Sequence, residues 1–389
     1  MIDLHPVRAF LEPEHVELGE GLGRYAAAEF AEHAHQDDDD LARRYAREIC
    51  TSLGRGGWLK AIARQDFRAC SVTRESLAFY SPLADAMFAL QALGSTPIAL
   101  AGDERQRRLW LDRAVRGRAV AAFAMSEPEA GSDVAAMRTT AIRDGDHYVL
   151  NGVKTFISNA GIADFYLLFA VTDPSEGVAG ISAFLLPADT KGFRFVRPLL
   201  MADPHPLGEI ALEDCRLPAS ARVGGEGEGY KLGLATLDRL RPTVGAAACG
   251  MAGRALHEAL HHALSRRQFG RALADFQITQ EKVGRMGTDL TAARLLVYRA
   301  AWERDKGAER TDLEAAMAKS FATEIAQGVV DDAVQILGGR GVLADNPVDR
   351  LYRSVRALRI YEGATEIQRL IIARHLLDAA RAEGDATHE

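Results

Sequence analysis

Near the C-terminus the chain reads Tyr361-Glu362-Gly363-Ala364-Thr365-Glu366-Ile367-Gln368-Arg369, an order of residue types that can do acid–base chemistry. Gly363 allows a bend or a close backbone approach directly after a carboxylate. Thr365 and Gln368 have the spacing of a capping box, which predicts a helix that starts there and runs through Ile367, Leu370, Ile371 and Leu377. Glu362 then stands before a helix N-terminus, where backbone N–H groups lack intrahelical acceptors. A carboxylate so placed can serve as a general base, with amides beside it to receive negative charge developing on a carbonyl. An isolated Glu-Gly pair, by contrast, is ordinary surface loop.

Two other constellations invite chemistry. Asp85 falls in residues 83–100, a run almost wholly apolar or small that is broken otherwise by Gln91. An aspartate there costs several kcal/mol if buried and unpaired, so it is either a helix-start acid after Ser81-Pro82, favoured by the helix dipole, or a working residue. His257-Glu258-Ala259-Leu260-His261 matches H-E-x-x-H, which on a helix puts two histidines on one face to hold zinc with the glutamate as base, a metallohydrolase arrangement. No third ligand follows at a known spacing, and the bland reading is a helix surface.

These residues need elements to position them. With 389 residues, 48% apolar and 26% charged, the chain can build two or three domains with real cores. No stretch approaches about 18 uninterrupted apolar residues and the N-terminus carries no basic and apolar leader, so the expectation is a cytoplasmic chain without a membrane span. A net charge of −7 gives no electrostatic reason to expect nucleic acid. Cys50, Cys70, Cys215 and Cys249 are far apart without C-x-x-C spacing and are expected as free thiols. The acids at 37–40, flanked by His33, His35 and Gln36, read as a solvated loop or helix end, because a calcium loop needs alternating ligands and a glycine turn.

Apolar spacing predicts three domains. Residues 1–118 are helical, with breaks at 54–57, 81–82 and 94–97. Residues 119–222 change to strand periodicity, with hairpin turns at Asp144-Gly145 and Asn151-Gly152, and form an antiparallel barrel or sandwich. There is no strand–helix alternation, which excludes a Rossmann domain. Gly224-Gly225-Glu226-Gly227 follows no βαβ unit and reads as a flexible link. Residues 223–389 form a four-helix bundle in which Thr311 and Glu314 make a second capping box and Gly338-Gly339 ends the helix it opens. The fold class is α+β and multidomain.

The nonapeptide resembles the Y-E-G-[TA]-x-[EQ]-I-Q-R signature of the FAD-dependent acyl-CoA dehydrogenase family, and further matches extend over essentially the whole chain. The resemblance implies that Glu362 removes the α-proton of an acyl-CoA thioester while the β-hydrogen leaves as hydride to flavin N5, giving a 2-enoyl thioester. The Glu362 N–H and a flavin ribityl hydroxyl would polarise the carbonyl. Met125-Ser126-Glu127-Pro128-Glu129-Ala130-Gly131-Ser132-Asp133 resembles the loop that holds the flavin pyrimidine and approaches the CoA arm, implicating Met125, Ser126, Gly131 and Ser132. Lys154-Thr155-Phe156-Ile157-Ser158-Asn159 resembles K-x-[WF]-I-[ST]-N, in which the aromatic shields the isoalloxazine and Ser158 bonds N5. Arg266, Gln268, Phe269 and Gln277, with Gln335, Gly338 and Gly339, match the motifs that hold the FAD pyrophosphate and adenine across a subunit interface. Thr365 and Glu366 complete the implied FAD set. Asp238 and Arg241 match a CoA-arm contact and an active-site arginine, and Gly363 lines the acyl site with Asp85.

Three departures stand out. Leu240 occupies the position where a minority of members carry the catalytic glutamate, which favours Glu362. Ala364 replaces a frequent threonine, and Pro204-His205-Pro206 replaces a polar turn near the CoA arm. In some alicyclic members an aspartate on the Asp85 helix is a second base for 1,4-desaturation of a cyclohexene-type thioester, so that reading stays open for Asp85. A carrier-protein thioester and an oxidase outcome also stay open. The implied partners are an acyl-CoA, an electron-transfer flavoprotein or similar acceptor, and further copies of the chain in a homotetramer built as a dimer of dimers.

Overall fold

The computed structural model describes residues 2–30 and 38–386, with side-chain surroundings to residue 383. His33, His35, Gln36 and Asp37 lie outside the described residues. The main elements are α1 (Pro13–Phe30), α2 (Asp39–Gly56), α3 (Phe67–Tyr80), α4 (Pro82–Ala101), β1 (Ala121–Ala124), β2 (Thr140–Asp144), β3 (His147–Ser158), β4 (Phe165–Val171), β5 (Ile181–Pro187), β6 (Phe193–Pro198), β7 (Leu207–Pro218), β8 (Arg222–Val223), α5 (Gly229–Ser265), α6 (Gln277–Asp305), α7 (Asp312–Leu337), α8 (Pro347–Leu358) and α9 (Thr365–Ala386). The chain divides into two compact units, one of Met1–His35, Phe67–Asp85 and Asp238–Glu389, the other of Gln36–Asp66 and Ala86–Leu237.

The first unit is helical. Its core joins Val72 and Ala78 of α3 to an alanine-rich stripe of α5 (Val244, Ala247, Ala248, Ala252, Ala255), to Leu290, Ala293 and Val297 of α6, and to Ala318, Ala322 and Ala326 of α7. Small side chains on facing helices let the axes approach closely, and larger ones fill the gaps. Polar ties fix α3 to α6. The Asp305 carboxylate accepts the Phe67 and Arg68 N–H groups at 2.9 and 3.0 Å, capping α3 from the end of α6. Buried Glu75 accepts from Arg294 Nε at 2.6 Å and from the Tyr298 hydroxyl at 2.8 Å. Four long helices are present in this region as expected, with the 12-residue α8 added between α7 and α9.

The second unit carries one sheet in the order β6-β7-β3-β2-β4-β5-β8, with β1 paired to β4. Most pairs are antiparallel, but β1 runs parallel to β4. Phe165, Leu167 and Phe169 of β4 share a core with Ile181, Ala183 and Leu185 of β5 and with Ile98 of α4. Asp38 caps α2 by accepting from Leu41 N at 2.9 Å. All four cysteines stand outside any disulfide, and all are buried. Among the described residues α4 is the one helix long and apolar enough to cross a membrane, and most of it is buried within the protein.

Several local expectations are corrected. Asp144-Gly145 is a hairpin turn, with Asp144 opposite His147, but Asn151-Gly152 lies inside β3 at an irregularity of the β3–β7 register. Asn151 is held there by Asp214, whose N–H reaches Asn151 Oδ1 at 2.8 Å. Helix α4 continues through Gly94 and Pro97 instead of ending before the proline. A Cβ on Gly94 would stand 2.7 Å from the Ala121 Cβ, so the glycine serves close packing and not a break. The glycine-rich link is tied down: Glu226 accepts from the Tyr148 hydroxyl at 2.6 Å and from Arg222 at 2.8 Å, and Gly227 N donates to Ser182 Oγ at 2.9 Å. Thr311 precedes α7 but makes no capping bond, because its hydroxyl accepts from the Arg304 guanidinium instead.

Candidate active site

Glu362 lies in the turn between α8 and α9, with φ +55°, and Gly363 follows with φ +96°. A left-handed non-glycine residue is strained by about 1–2 kcal/mol and persists only where its surroundings hold it. Here side chains from three helices do so. Arg241 Nε of α5 donates to the Glu362 carbonyl at 3.0 Å. Lys319 Nζ of α7 donates to the Gly363 carbonyl at 2.8 Å. Gln368 Nε2 of α9 donates to that same carbonyl at 3.1 Å. The expected capping box is therefore not formed. Thr365 is the first residue of α9, its N–H goes to the Arg359 carbonyl at 3.1 Å, and Gln368 turns back to Gly363. The helix still begins where expected.

The Glu362 carboxylate is half-buried, and its Oε2 is cut off from solvent and accepts no hydrogen bond among the described residues. Burial pushes its carboxyl up; the nearby Arg74, Lys319 and Arg241 charges pull it back and Asp85 adds to the rise. An unpartnered, desolvated oxygen on a raised carboxylate is suited to take a proton from carbon.

Asp85 stands in the first turn of α4, the helix-start position, and it is also paired. Arg74 donates Nε to Oδ1 at 2.7 Å and Nη2 to Oδ2 at 2.9 Å, and sends Nη1 to Thr243 Oγ1 at 3.1 Å. Arg74 and Asp85 are 1% and 2% exposed, so the bidentate pair is fully enclosed. Burial works against the guanidinium charge, but Asp85 outweighs it and holds Arg74 above its usual value. Asp85 has no free oxygen with which to act as a second base in this arrangement. Asp238 is likewise engaged, forming an ion pair with Arg241.

The implied cofactor residues fall into two groups, one in each unit. In the second unit, Ser126 accepts the Thr155 N–H at 3.1 Å, joining the two motif loops. Buried Lys154 anchors them further, donating to the Met125 carbonyl at 3.1 Å and to Glu127 at 2.8 Å. Phe156 presents its ring to solvent, 67% exposed, with φ +54°. Gly131 and Ser132 are exposed, and nothing stands within 4 Å of a Cβ built on Gly131. Met125 and Ile157 are buried, so their side chains belong to the core and only their backbones can meet a ligand. Ser158 Oγ lies 3.2 Å from His205 Nε2. Burial pulls this imidazole down to about 4, with Asp39 opposing and Arg43 adding to the fall.

In the first unit Arg266, Gln268 and Phe269 lie on an exposed two-stranded hairpin, Arg267–Gln268 against Arg271–Ala272, just before Gln277 opens α6. Arg266 and Gly339 line one concavity with His262, Leu337, Arg340 and Leu343. Gly338, with φ +61°, ends α7, and neither it nor Gly339 has an atom within 4 Å of a built Cβ. Gln335 and Glu366 are exposed, whereas Thr365 is buried with its hydroxyl 3.4 Å from the Arg359 carbonyl. Two arginines beside open glycine backbone suit a pyrophosphate, and an exposed aromatic beside a seryl hydroxyl suits an isoalloxazine. The residues present fit FAD.

At the H-E-x-x-H match Glu258 is paired with Arg254 at 2.8 Å, and no cluster of three metal-binding side chains occurs among the described residues.

Comparison with known proteins decides the family. Residues 122–215 match the acyl-CoA dehydrogenase middle domain, and residues 227–377 match the acyl-CoA dehydrogenase C-terminal domain. The chain belongs to the acyl-CoA dehydrogenase family. It is 37% identical over 377 residues to a probable acyl-CoA dehydrogenase of Mycobacterium tuberculosis, covering 94% of this chain and 96% of that protein. It is 38% identical over 308 residues to a cyclohexane-1-carbonyl-CoA dehydrogenase of Geobacter metallireducens, covering 79% and 80% of the two. Among solved structures, butyryl-CoA dehydrogenase of Megasphaera elsdenii superposes with a TM-score of 0.85 at 31% identity, covering 94% of this chain and 99% of that one. The protein is thus an oxidoreductase acting on a CH–CH bond of an acyl-CoA, with FAD as its cofactor.

Motif reading missed Arg74 and Lys319, both of which face Glu362. Their signal was present in retrospect: each is a single cation in a helix face otherwise made of small or apolar residues.

Proposed function

We propose that this acyl-CoA dehydrogenase removes the α-proton of its thioester with Glu362 and forms the 2-enoyl-CoA. The observation that carries the reading is the unpartnered, water-excluded Oε2 of Glu362 on a turn held by three helices. The Glu362 N–H has no acceptor among the described residues and can donate to the thioester oxygen, stabilising charge as the proton leaves. Closing a substrate over the half-buried Glu362 carboxylate removes the water that still reaches the rest of it and raises the carboxyl further, towards the acidified carbon. FAD, when bound, supplies the acceptor for the β-hydrogen as hydride. Phe156, Ser158, Ser126 and the Gly131-Ser132 turn would hold its ring end, and Arg266, Gln268, Phe269, Gln277, Gln335, Gly338 and Gly339 of a second copy of the chain its pyrophosphate and adenine end.

An external carrier such as an electron-transfer flavoprotein would take the electrons onward. The same reading makes the enzyme a cytoplasmic homotetramer. Apolar residues open to solvent on α9 and beside the hairpin, Leu370, Leu376, Leu377, Ile278 and Phe269, support contacts between copies. Alicyclic thioesters belong in the substrate panel because of the cyclohexane-1-carbonyl-CoA dehydrogenase relative. The enclosed Arg74–Asp85 pair favours α,β-dehydrogenation by Glu362 alone over 1,4-desaturation.

The test is anaerobic titration of the flavin-loaded protein with straight, branched and alicyclic acyl-CoAs. One class should bleach the flavin absorption, and Glu362→Gln should keep FAD while slowing bleaching at least about a thousandfold. Near-normal bleaching by Glu362→Gln would remove Glu362 as the base.

A further inference from the structure

We infer that Lys319 is a positioning residue for the base, clamping the Glu362-Gly363 turn and supplying the positive charge that balances the Glu362 carboxylate. The inference rests on the reading of Glu362 as the base. Lys319 is 0% exposed on α7, between the buried Ala315, Ala318 and Ala322. A lysine so enclosed is costly unless its charge is met. Its ammonium reaches only a carbonyl oxygen, that of Gly363, and forms no ion pair among the described residues.

The other charges around the turn are matched in pairs. Arg74 of α3 is bound to Asp85 of α4 through both oxygens. Arg241 and Asp238, both on α5, form an ion pair. Glu324, one turn along α7 from Lys319, is bound to Arg359 at 2.5 Å. Glu366 on α9 is exposed, and Tyr361 is a neutral phenol that burial pushes further up. Lys319 and Glu362 remain, one enclosed cation and one half-buried carboxylate, each lacking a charged partner in contact. Burial brings Lys319 down to about 8, and Glu362 is the first of the charges that oppose the fall. The two charges therefore act on one another across the turn.

A mere tether and a counter-charge make different predictions. Lys319→Gln keeps an N–H donor for the Gly363 carbonyl and removes the charge; Lys319→Arg keeps the charge. On the flavin-loaded protein without substrate, protonation of Glu362 is followed by its carboxyl stretching band in infrared difference spectra against Glu362→Gln. In parallel, the rate of flavin reduction by a substrate that reduces the wild type is followed from pH 5 to 9. In Lys319→Gln both the band midpoint and the acidic limb of the rate profile should move up by about one pH unit, and Lys319→Arg should bring both back towards wild type. A Lys319→Gln holoenzyme with an unmoved midpoint and limb would overturn the inference, whatever its rate. Should Lys319→Gln fail to load FAD, the Lys319→Arg holoenzyme decides: a wild-type midpoint upholds the charge, and a midpoint moved upward refutes it. The base reading fails separately, through Glu362→Gln.

Discussion

Replacing Asp85 with Asn discriminates between a structural and a catalytic aspartate. The carboxylate takes both a guanidinium Nε and Nη2 at 2.7 and 2.9 Å, and both residues are at most 2% exposed. Asn offers one acceptor and no charge, so Arg74 stays buried with its charge unmet. Breaking an enclosed pair in this way costs about 3–5 kcal/mol. With an unfolding entropy of about 2.1 cal/mol/K per residue, a 389-residue chain loses roughly 4–6 °C of melting temperature for that cost. Differential scanning calorimetry of the FAD-loaded enzyme at fixed protein concentration measures it. Removing both charges, Arg74→Met with Asp85→Leu, should recover most of the loss, because apolar replacements of similar size avoid the desolvation of two ions. Flavin reduction by a saturated acyl-CoA should persist in Asp85→Asn at temperatures where the protein is folded. An Asp85→Asn protein with an unchanged melting temperature and a flavin that no longer bleaches would refute the structural account and make Asp85 a reacting group.

Two further outcomes follow from geometry in each unit. Gly363→Ala places a Cβ 2.5 Å from Gln368 Nε2 at φ +96°, so the amide must leave the Gly363 carbonyl; flavin reduction should fall at least about tenfold, with a stability loss of about 1–2 kcal/mol, checked by stopped flow and calorimetry. In the other unit, the His205 imidazole titrates at about 4 against 6.5 when unfolded, so the unfolded chain binds the extra proton between those values. Its contribution to stability is complete above pH 6.5 and is lost as pH falls towards 4. His205→Gln should remove about one proton from the pH dependence of stability in that window, and an unchanged slope would show that the ring is solvated.

The turn that carries Glu362 and the helix after it were legible in the sequence because their signals are local. Glu362, the glycine after it and the apolar spacing from Ile367 to Leu377 sit within one short stretch, and the structure begins α9 at Thr365. The hydrogen bonds of the turn were not legible. Gln368 could bond either the Thr365 N–H or the Gly363 carbonyl, and the choice is made by Arg241 and Lys319, which come from helices distant in sequence. Asn151-Gly152 shows the same limit in the sheet. That dipeptide suits a tight hairpin, but pairing with β7 and the Asp214 contact keep it in a strand. Gly94 and Pro97 look like helix breakers by local rules, and burial of α4 overrides them. Arg74 belongs to no motif; its signal was only that of a lone cation on a small and apolar helix face, and folding shows that it meets Asp85 eleven positions on.

The clamp on the Glu362-Gly363 turn also bears on how the protein is made. Arg241 and Lys319 leave the ribosome before residues 362 and 363, which supply the two carbonyls that they meet in the finished fold. Until those residues dock, burying the Lys319 ammonium carries a penalty, so the surroundings of Lys319 on α7 gain their full stability only when the last segment is in place. A chain cut short before residue 362 should therefore melt below the full-length protein.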